Sequence, residues 1–313
     1  MRVVFCGTPE FGIPTLRRLL ADARFRVLGV ITQPDRPRGR GLAAGESPVR
    51  QLARQAGLEV FQPEKIRVPK AQQWLEAKAT DAVVLIAYGQ IVPARLLAIP
   101  RLGWINLHAS LLPKYRGAAP IAWAIANGER RTGITTMQID AGMDTGPILL
   151  RREMEIGAEE TAPELSAQMA EAGAALVMET LEGLEAGTLR GEPQDKAQAS
   201  YAPLLKREDG RIHWDITAQQ IYNRVRGFDP WPGTFAQFRG RRVHVWGRPM
   251  AQAGAPADRA PAGSIRQAGS ALLVACGEGS WLELTEVQPE GRRRMAAREF
   301  AAGARPEPGE RLE

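Results

Sequence analysis

Asn106, His108 and Asp144 are the residues whose types and spacing best suit chemistry. An amide and an imidazole can each donate to an oxygen that gains negative charge, while a carboxylate can orient the imidazole or take up a proton. Together they fit acyl transfer in which an amine attacks a carbonyl, with no covalent nucleophile. Asn106 and His108 end the apolar run Trp104-Ile-Asn-Leu-His108. Side chains alternate along a strand, so these two share one face and Ile105 and Leu107 the other. Asp144 lies in Asp140-Ala-Gly-Met-Asp144-Thr-Gly146, just after a second strand-like run over 133–139. Both segments are then strand-end loops, the place where ligands bind in an open α/β sheet. The same residues also fit structural roles: Asn106 capping a turn, His108 a satisfied buried histidine, Asp144 closing an Asx-turn before Gly146. Spacing alone leaves both open.

No other cluster competes. His108, His213 and His244 share no ligand spacing, and Cys6 and Cys276 stand far apart outside any Cys-x-x-Cys pair, so neither a metal site nor a disulfide is expected. Phe5-Cys-Gly7-Thr-Pro-Glu-Phe-Gly12 lacks the Gly-x-Gly-x-x-Gly spacing of dinucleotide binding, and Gly7 reads as a turn into the first helix. Arg36, Arg38 and Arg40 alternate among helix breakers in Thr32-Gln-Pro-Asp-Arg36-Pro-Arg38-Gly-Arg40-Gly. That loop fits an arm contacting phosphate and fits a solvated loop equally well.

The elements that must position these groups are written as periodicity. Apolar runs over 3–6, 27–32, 82–88, 104–108 and 134–139 read as buried strands, and helical patterns follow over 14–21, 48–56, 72–78 and 119–127. This alternation predicts an α/β domain with a mostly parallel, Rossmann-like sheet. Thr161 and Glu164 have capping-box spacing ahead of a stripe of Leu165, Met169, Ala172, Leu176 and Leu184, a long helix that closes the domain near 188. Residues 189–205 read as a linker. Beyond it, Thr217 and Gln220 form another capping box, and strand-like runs over 243–246, 264–266, 271–275 and 281–287 predict a small OB-like β-barrel across 206–313.

Composition agrees with an ordinary globular chain: 313 residues, 44% hydrophobic and 24% charged, enough for about two domains. The 41 basic against 35 acidic residues leave +6, a mild bias towards an anionic partner. No apolar run reaches the ~18 residues of a membrane span, and Met1 leads at once into a strand-like run, so a cytoplasmic protein with no membrane partner is expected.

The string Asn106-Leu-His108-Ala-Ser-Leu-Leu-Pro-Lys-Tyr-Arg-Gly117-Ala-Ala-Pro120, with Met137-Gln-Ile-Asp-Ala-Gly-Met-Asp144-Thr-Gly146, resembles the formyltetrahydrofolate-dependent formyltransferases. Gly7-Thr-Pro-Glu-Phe11, Ala87-Tyr-Gly89 and Phe228-Asp-Pro-Trp-Pro-Gly233 extend the resemblance over nearly the whole chain. It implies Asn106, His108 and Asp144 as catalytic residues, and Ser110, Leu111, Leu112 and Pro113 as the segment lining the tetrahydrofolate site. It implies 10-formyltetrahydrofolate as formyl donor and the α-amino group of methionyl initiator tRNA as acceptor, in translation initiation. Arg40, with Arg36 and Arg38, is the implied tRNA contact, helped by the C-terminal domain. A monomer without metal or DNA is expected.

Other readings stay in view. Formyltransferases of amino-sugar nucleotides typically show Arg-Gly-Arg-Ala-Pro where this chain has Arg116-Gly-Ala-Ala-Pro120. A glycinamide ribonucleotide formyltransferase would lack the C-terminal domain, and a formyltetrahydrofolate hydrolase would put water in place of the amine. A non-catalytic RNA-binding module is the alternative from another class, given Arg207, Arg211, Arg224, Arg226, Arg239, Arg241, Arg242 and Arg248.

Overall fold

Apolar runs become strands where a helix can cover each face. The computed structural model describes residues 1–37, 44–251, 256, 260–307 and 309–313, which divide into two compact units. The first comprises Met1–Pro120, Arg131–Glu155 and Glu164–Pro203. Its early elements are β1 (Arg2–Gly7), α1 (Ile13–Ala21), β2 (Arg26–Ile31), β3 (Arg36–Pro37), β4 (Ala44–Gly45), α2 (Pro48–Gln55), β5 (Val60–Phe61), α3 (Pro69–Lys78), β6 (Ala82–Ile86) and α4 (Ala94–Leu97). There follow β7 (Trp104–His108), β8 (Arg116–Gly117), α5 (Pro120–Ala126, which beyond Pro120 belongs to the second unit), β9 (Arg131–Gln138), β10 (Ile148–Glu155), α6 (Ala162–Glu185) and β11 (Tyr201–Ala202).

The main sheet runs β10-β9-β7-β6-β1-β2-β5. β7, β6, β1, β2 and β5 run parallel to one another, while β9 pairs antiparallel with β7 and β10 antiparallel with β9, so the sheet is mostly parallel as periodicity predicts. From β1 the chain winds outward through β2 to β5 and then returns to β6 on the other side, which makes the β1/β6 boundary the switch point where such sheets leave a crevice. Start signals are local: Pro48 follows Ser47, whose hydroxyl accepts from Arg50 N–H at 3.2 Å. α3 starts at Pro69, ahead of the 72 expected, because a proline is well placed in a first helical turn. β6 stops at Ile86, short of 88, since Ala87 and Gly89 take positive φ of 49° and 81° and turn the chain.

Of residues 189–205, which read as a linker, 189–203 cluster with this first unit and are tied to it by polar contacts. β11 pairs in parallel with β8, and Ile148 bridges Glu192. These bonds run through main chain and polar side chains, which leave no apolar period to read.

The second unit takes Ile121–Arg130, Ile156–Pro163 and Leu204–Glu313. Its elements are α7 (Ala218–Gly227), β12 (Phe235–Phe238), β13 (Arg241–Pro249), β14 (Ile265–Ala268), β15 (Ala271–Ala275), β16 (Trp281–Pro289), β17 (Met295–Ala296) and α8 (Ala297–Ala304). The strands form an antiparallel half-barrel sheet, β12-β13-β16-β15-β14 with β17 against β16. Val243, Val245, Leu272, Val274, Leu282 and Leu284 pack with Ile221, Val225 and Phe300 into its core. The expected capping box opens α7: Thr217 accepts from Gln220 N–H at 3.2 Å, and Gln220 Oε1 accepts from Thr217 N–H at 2.9 Å.

Candidate active site

β7 sets the site because its two faces do different work. Leu107 packs on α6 so closely that a Cβ on Gly173 would come within 2.5 Å of it. With 105 and 107 turned that way, alternation sends Asn106 and His108 to the opposite face. Both are buried, Asn106 at 7% exposure and His108 at 6%. Among the described residues the Asn106 amide has no hydrogen-bond partner in the protein.

His108 is held at both ring nitrogens. Nε2 lies 2.9 Å from Tyr115 O, and a carbonyl only accepts, so Nε2 carries the hydrogen and donates. Nδ1 faces Asp144 Oδ2 at 3.7 Å, too long for a hydrogen bond. That same oxygen accepts from Gly117 N–H at 2.8 Å, which brings the two strand-end loops together. Gly117 has φ of 118°, and a Cβ there would stand 2.6 Å from Ala202 O, so the turn presenting this N–H admits no side chain without distortion. Of the structural roles open to these residues, one belongs elsewhere: Asp140, and not Asp144, closes the Asx-turn, its Oδ1 accepting from Gly142 N–H at 3.0 Å and from Thr145 hydroxyl at 2.7 Å.

Residues 110–113 form a bent, mostly internal segment. Ser110 is fully buried and donates its hydroxyl to Lys114 O at 2.6 Å; Leu112 packs with Met137 and Ile148; Pro113 follows a cis peptide and is buried. Leu111 is half-buried, and it is the side chain of the four that retains appreciable exposure. Thr135 fixes the bend, its hydroxyl accepting from Leu112 N–H at 3.2 Å and donating to Ser110 O at 2.7 Å.

Periodicity gave no hint of Gln194, in the stretch read as a linker. Its Oε1 accepts from the Arg116 guanidinium, 2.6 Å from Nη2 and 3.1 Å from Nε, while its Nε2 donates to Asp144 O at 2.9 Å and Gly146 O at 2.8 Å. Ser200, also from that stretch, accepts from Tyr115 N–H at 2.9 Å through its hydroxyl. A cleft of about 340 Å³ opens at the carboxyl ends of β1, β2 and β6, lined by Thr8, Gln33, Pro34, Asp35, Gly45, Ser47 and Gly89. The Gln33 side chain is fixed there, donating to Tyr88 O at 2.9 Å and accepting from Gln90 at 3.2 Å. Of the arginines expected to meet tRNA, Arg38 and Arg40 lie outside the described residues, and Arg36 is described only by its backbone in β3. No described helix is long and apolar enough to cross a membrane.

Residues 1–181 match the formyl transferase family, and residues 204–305 match the formyl transferase C-terminal domain. A methionyl-tRNA formyltransferase of Solibacter usitatus is 53% identical over 315 residues, spanning 100% of this chain and 98% of the relative. One from Acidobacterium capsulatum is 51% identical over 313 residues, 100% of this chain and 99% of the relative. Among solved structures, a sugar 3N-formyl transferase crystallised with dTDP and 5-N-formyl-THF shares the fold at a TM-score of 0.66 and 16% identity, covering 94% of this chain and 99% of its own.

Proposed function

The chain belongs to the formyl transferase family, and on that premise we propose that it transfers the formyl group of 10-formyltetrahydrofolate to the α-amino group of methionyl initiator tRNA. The observation that carries the reading is the meeting of His108 and Asp144, 3.7 Å apart beside Asn106, in a chain that aligns end to end with relatives named for this reaction.

The amine nitrogen bonds to the formyl carbon, and the carbonyl oxygen takes up charge. Collapse then breaks the bond from carbon to N10, the amine loses a proton and N10 gains one. Asn106 is the donor best placed for the oxygen, because among the described residues its amide is committed to no other group and a preformed donor costs no reorganisation. Tyr115 holds the Nε2 hydrogen of His108, so the ring acts on the reaction through Nδ1. With a proton on Nδ1 the ring is a second donor to the oxygen; without it, Nδ1 and the Asp144 carboxylate form the pair that draws off the amine's proton. An α-amino group with a pKa of about 8 is partly unprotonated at neutral pH, so alignment contributes more than strong base catalysis. Residues 110–113 serve the folate by shape, through main chain and Leu111. The second unit, with the Arg36, Arg38 and Arg40 loop, is assigned to tRNA.

The test is to incubate the protein with formyltetrahydrofolate and, separately, methionyl-tRNA, free methionine and an amino-sugar nucleotide. Formyl appearing on methionyl-tRNA supports the reading. Formyl on the sugar nucleotide alone, or formate release without transfer, overturns it.

A further inference from the structure

We propose that Gln194 is a positioning residue for the reaction, a latch that holds the Asp144 loop in the conformation its carboxylate needs. The inference rests on the assignment of Asp144 above. Asp144 takes φ of 52°, a left-handed conformation that a non-glycine residue leaves unless its surroundings hold it. Gln194 Nε2 donates to the carbonyls on either side of the bend, Asp144 O and Gly146 O, which matches the two hydrogens of one amide nitrogen. Gly146 leaves its neighbour no slack, since a Cβ there would fall 1.8 Å from Gln138 O.

What aims the amide is Arg116. Arg116 is 3% exposed as a residue and its guanidinium can only donate, so the group opposite must be an acceptor. Turning the amide over would set NH2 against guanidinium and oxygen against two carbonyls, a repulsion at every contact. Arg116 therefore fixes Oε1, Oε1 fixes Nε2, and Nε2 fixes the loop carrying Asp144. Arg116 also lies one residue before Gly117, whose N–H holds the Asp144 carboxylate. Main chain and side chain of Asp144 are thus referred to one short strand, and its distance to His108 is set from both ends.

Gln194→Glu separates the latch from the fold. The carboxylate still accepts from Arg116, so the buried guanidinium stays satisfied, but it has no hydrogen to offer the two carbonyls and repels them. The variant is expected to fold, with kcat down about tenfold to a hundredfold and KM for formyltetrahydrofolate and methionyl-tRNA within about threefold, as misplacement of a catalytic group requires. In an Asp144→Asn background the same change should cost less than about twofold more, because the two act through one group. Retained kcat, a loss carried by KM alone, a fully additive loss in the double variant, or failure of Gln194→Glu to fold would each overturn the latch. Asp144→Asn by itself keeps the two questions apart: if it retains turnover the site assignment fails, and if it loses turnover while Gln194→Glu does not, only the latch fails.

Discussion

A histidine between a carbonyl and a carboxylate has little freedom in how it holds its protons, and His108 is in that position. Tyr115 O takes the Nε2 hydrogen, leaving Nδ1 to face Asp144. Neither contact resembles a group that merely fills the core, and the Asp144 oxygen that faces Nδ1 accepts a hydrogen bond from a backbone N–H of the neighbouring loop. On the proposed mechanism His108→Ala removes the second donor and the proton acceptor together, while Asp144→Asn keeps the shape but loses the charge. Each should lower kcat by roughly a hundredfold or more, in the range found for removal of a preformed donor or a general base, with the Kd for methionyl-tRNA within about threefold. Single-turnover kinetics with a parallel binding titration would check this; unchanged turnover in either variant removes its residue from the mechanism. The residues of this site were legible because a histidine and an asparagine two apart at the end of an apolar strand stand out. Gln194 was not, because its contacts are two carbonyls and a guanidinium brought from 50, 48 and 78 positions away.

The elements show the same division. β7 spans 104–108 in sequence reading and structure alike because both its faces are buried and Trp104, Ile105 and Leu107 mark the run. β10 was not read: as the sheet's edge it carries Arg151, Glu153 and Glu155 exposed, and an edge strand with one wet face looks like a polar loop. α8 has only Ala297, Phe300 and Ala301 buried, too short a stripe to declare itself. At the opposite end of the first unit's strands from the candidate site, one carboxylate joins the start of β6 to β1 and to the turn before β7. Asp81, just before β6, accepts from Arg2 N–H of β1 at 2.7 Å and from Arg101 Nε at 3.0 Å. Burial pushes this carboxyl up, yet the bonds from the Arg2 N–H and the Arg101 guanidinium outweigh burial and bring it from 3.8 to about 2. The folded value lies below the unfolded one, so the stabilisation is complete above pH 3.8 and is lost as pH falls towards about 2. The shift corresponds to on the order of 2 kcal/mol. Asp81→Asn should therefore melt about 4–8 °C lower at pH 7. Melting curves of variant and parent should converge as the pH drops from about 4 towards 2, and a gap independent of pH would mean that the carboxylate's charge is not what joins these strands.

For the whole molecule, the +6 charge matters less than which cations are free to meet a partner. Residues 205–250 hold nine basic and four acidic residues, a net +5, and the sequence alone weighs them equally. The structure does not. Arg226 is buried at 6% exposure and spends its guanidinium on Gly157 O, Glu160 O and Asn223. Arg239 is engaged by both oxygens of Glu310, at 2.7 and 2.8 Å, and its guanidinium holds that carboxyl down to about 2. Lys206, Arg207, Arg211 and Arg241 are exposed and so remain available to phosphate. A phosphate contact releases a counterion, and each contact removed should lower the slope of log K against log salt by about 0.7 to 0.9. Replacing Lys206, Arg207 and Arg241 by alanine together should thus flatten the salt dependence of methionyl-tRNA binding by about two units, with kcat at saturating tRNA nearly kept, because these residues are remote in role from the formyl oxygen. Arg239→Gln should leave the slope within about 0.3, since the charge it removes was already paired. Binding titrations at a series of salt concentrations decide it: if Arg239→Gln flattens the slope as much as the triple variant does, affinity follows net charge and the distinction between engaged and available arginines carries no weight.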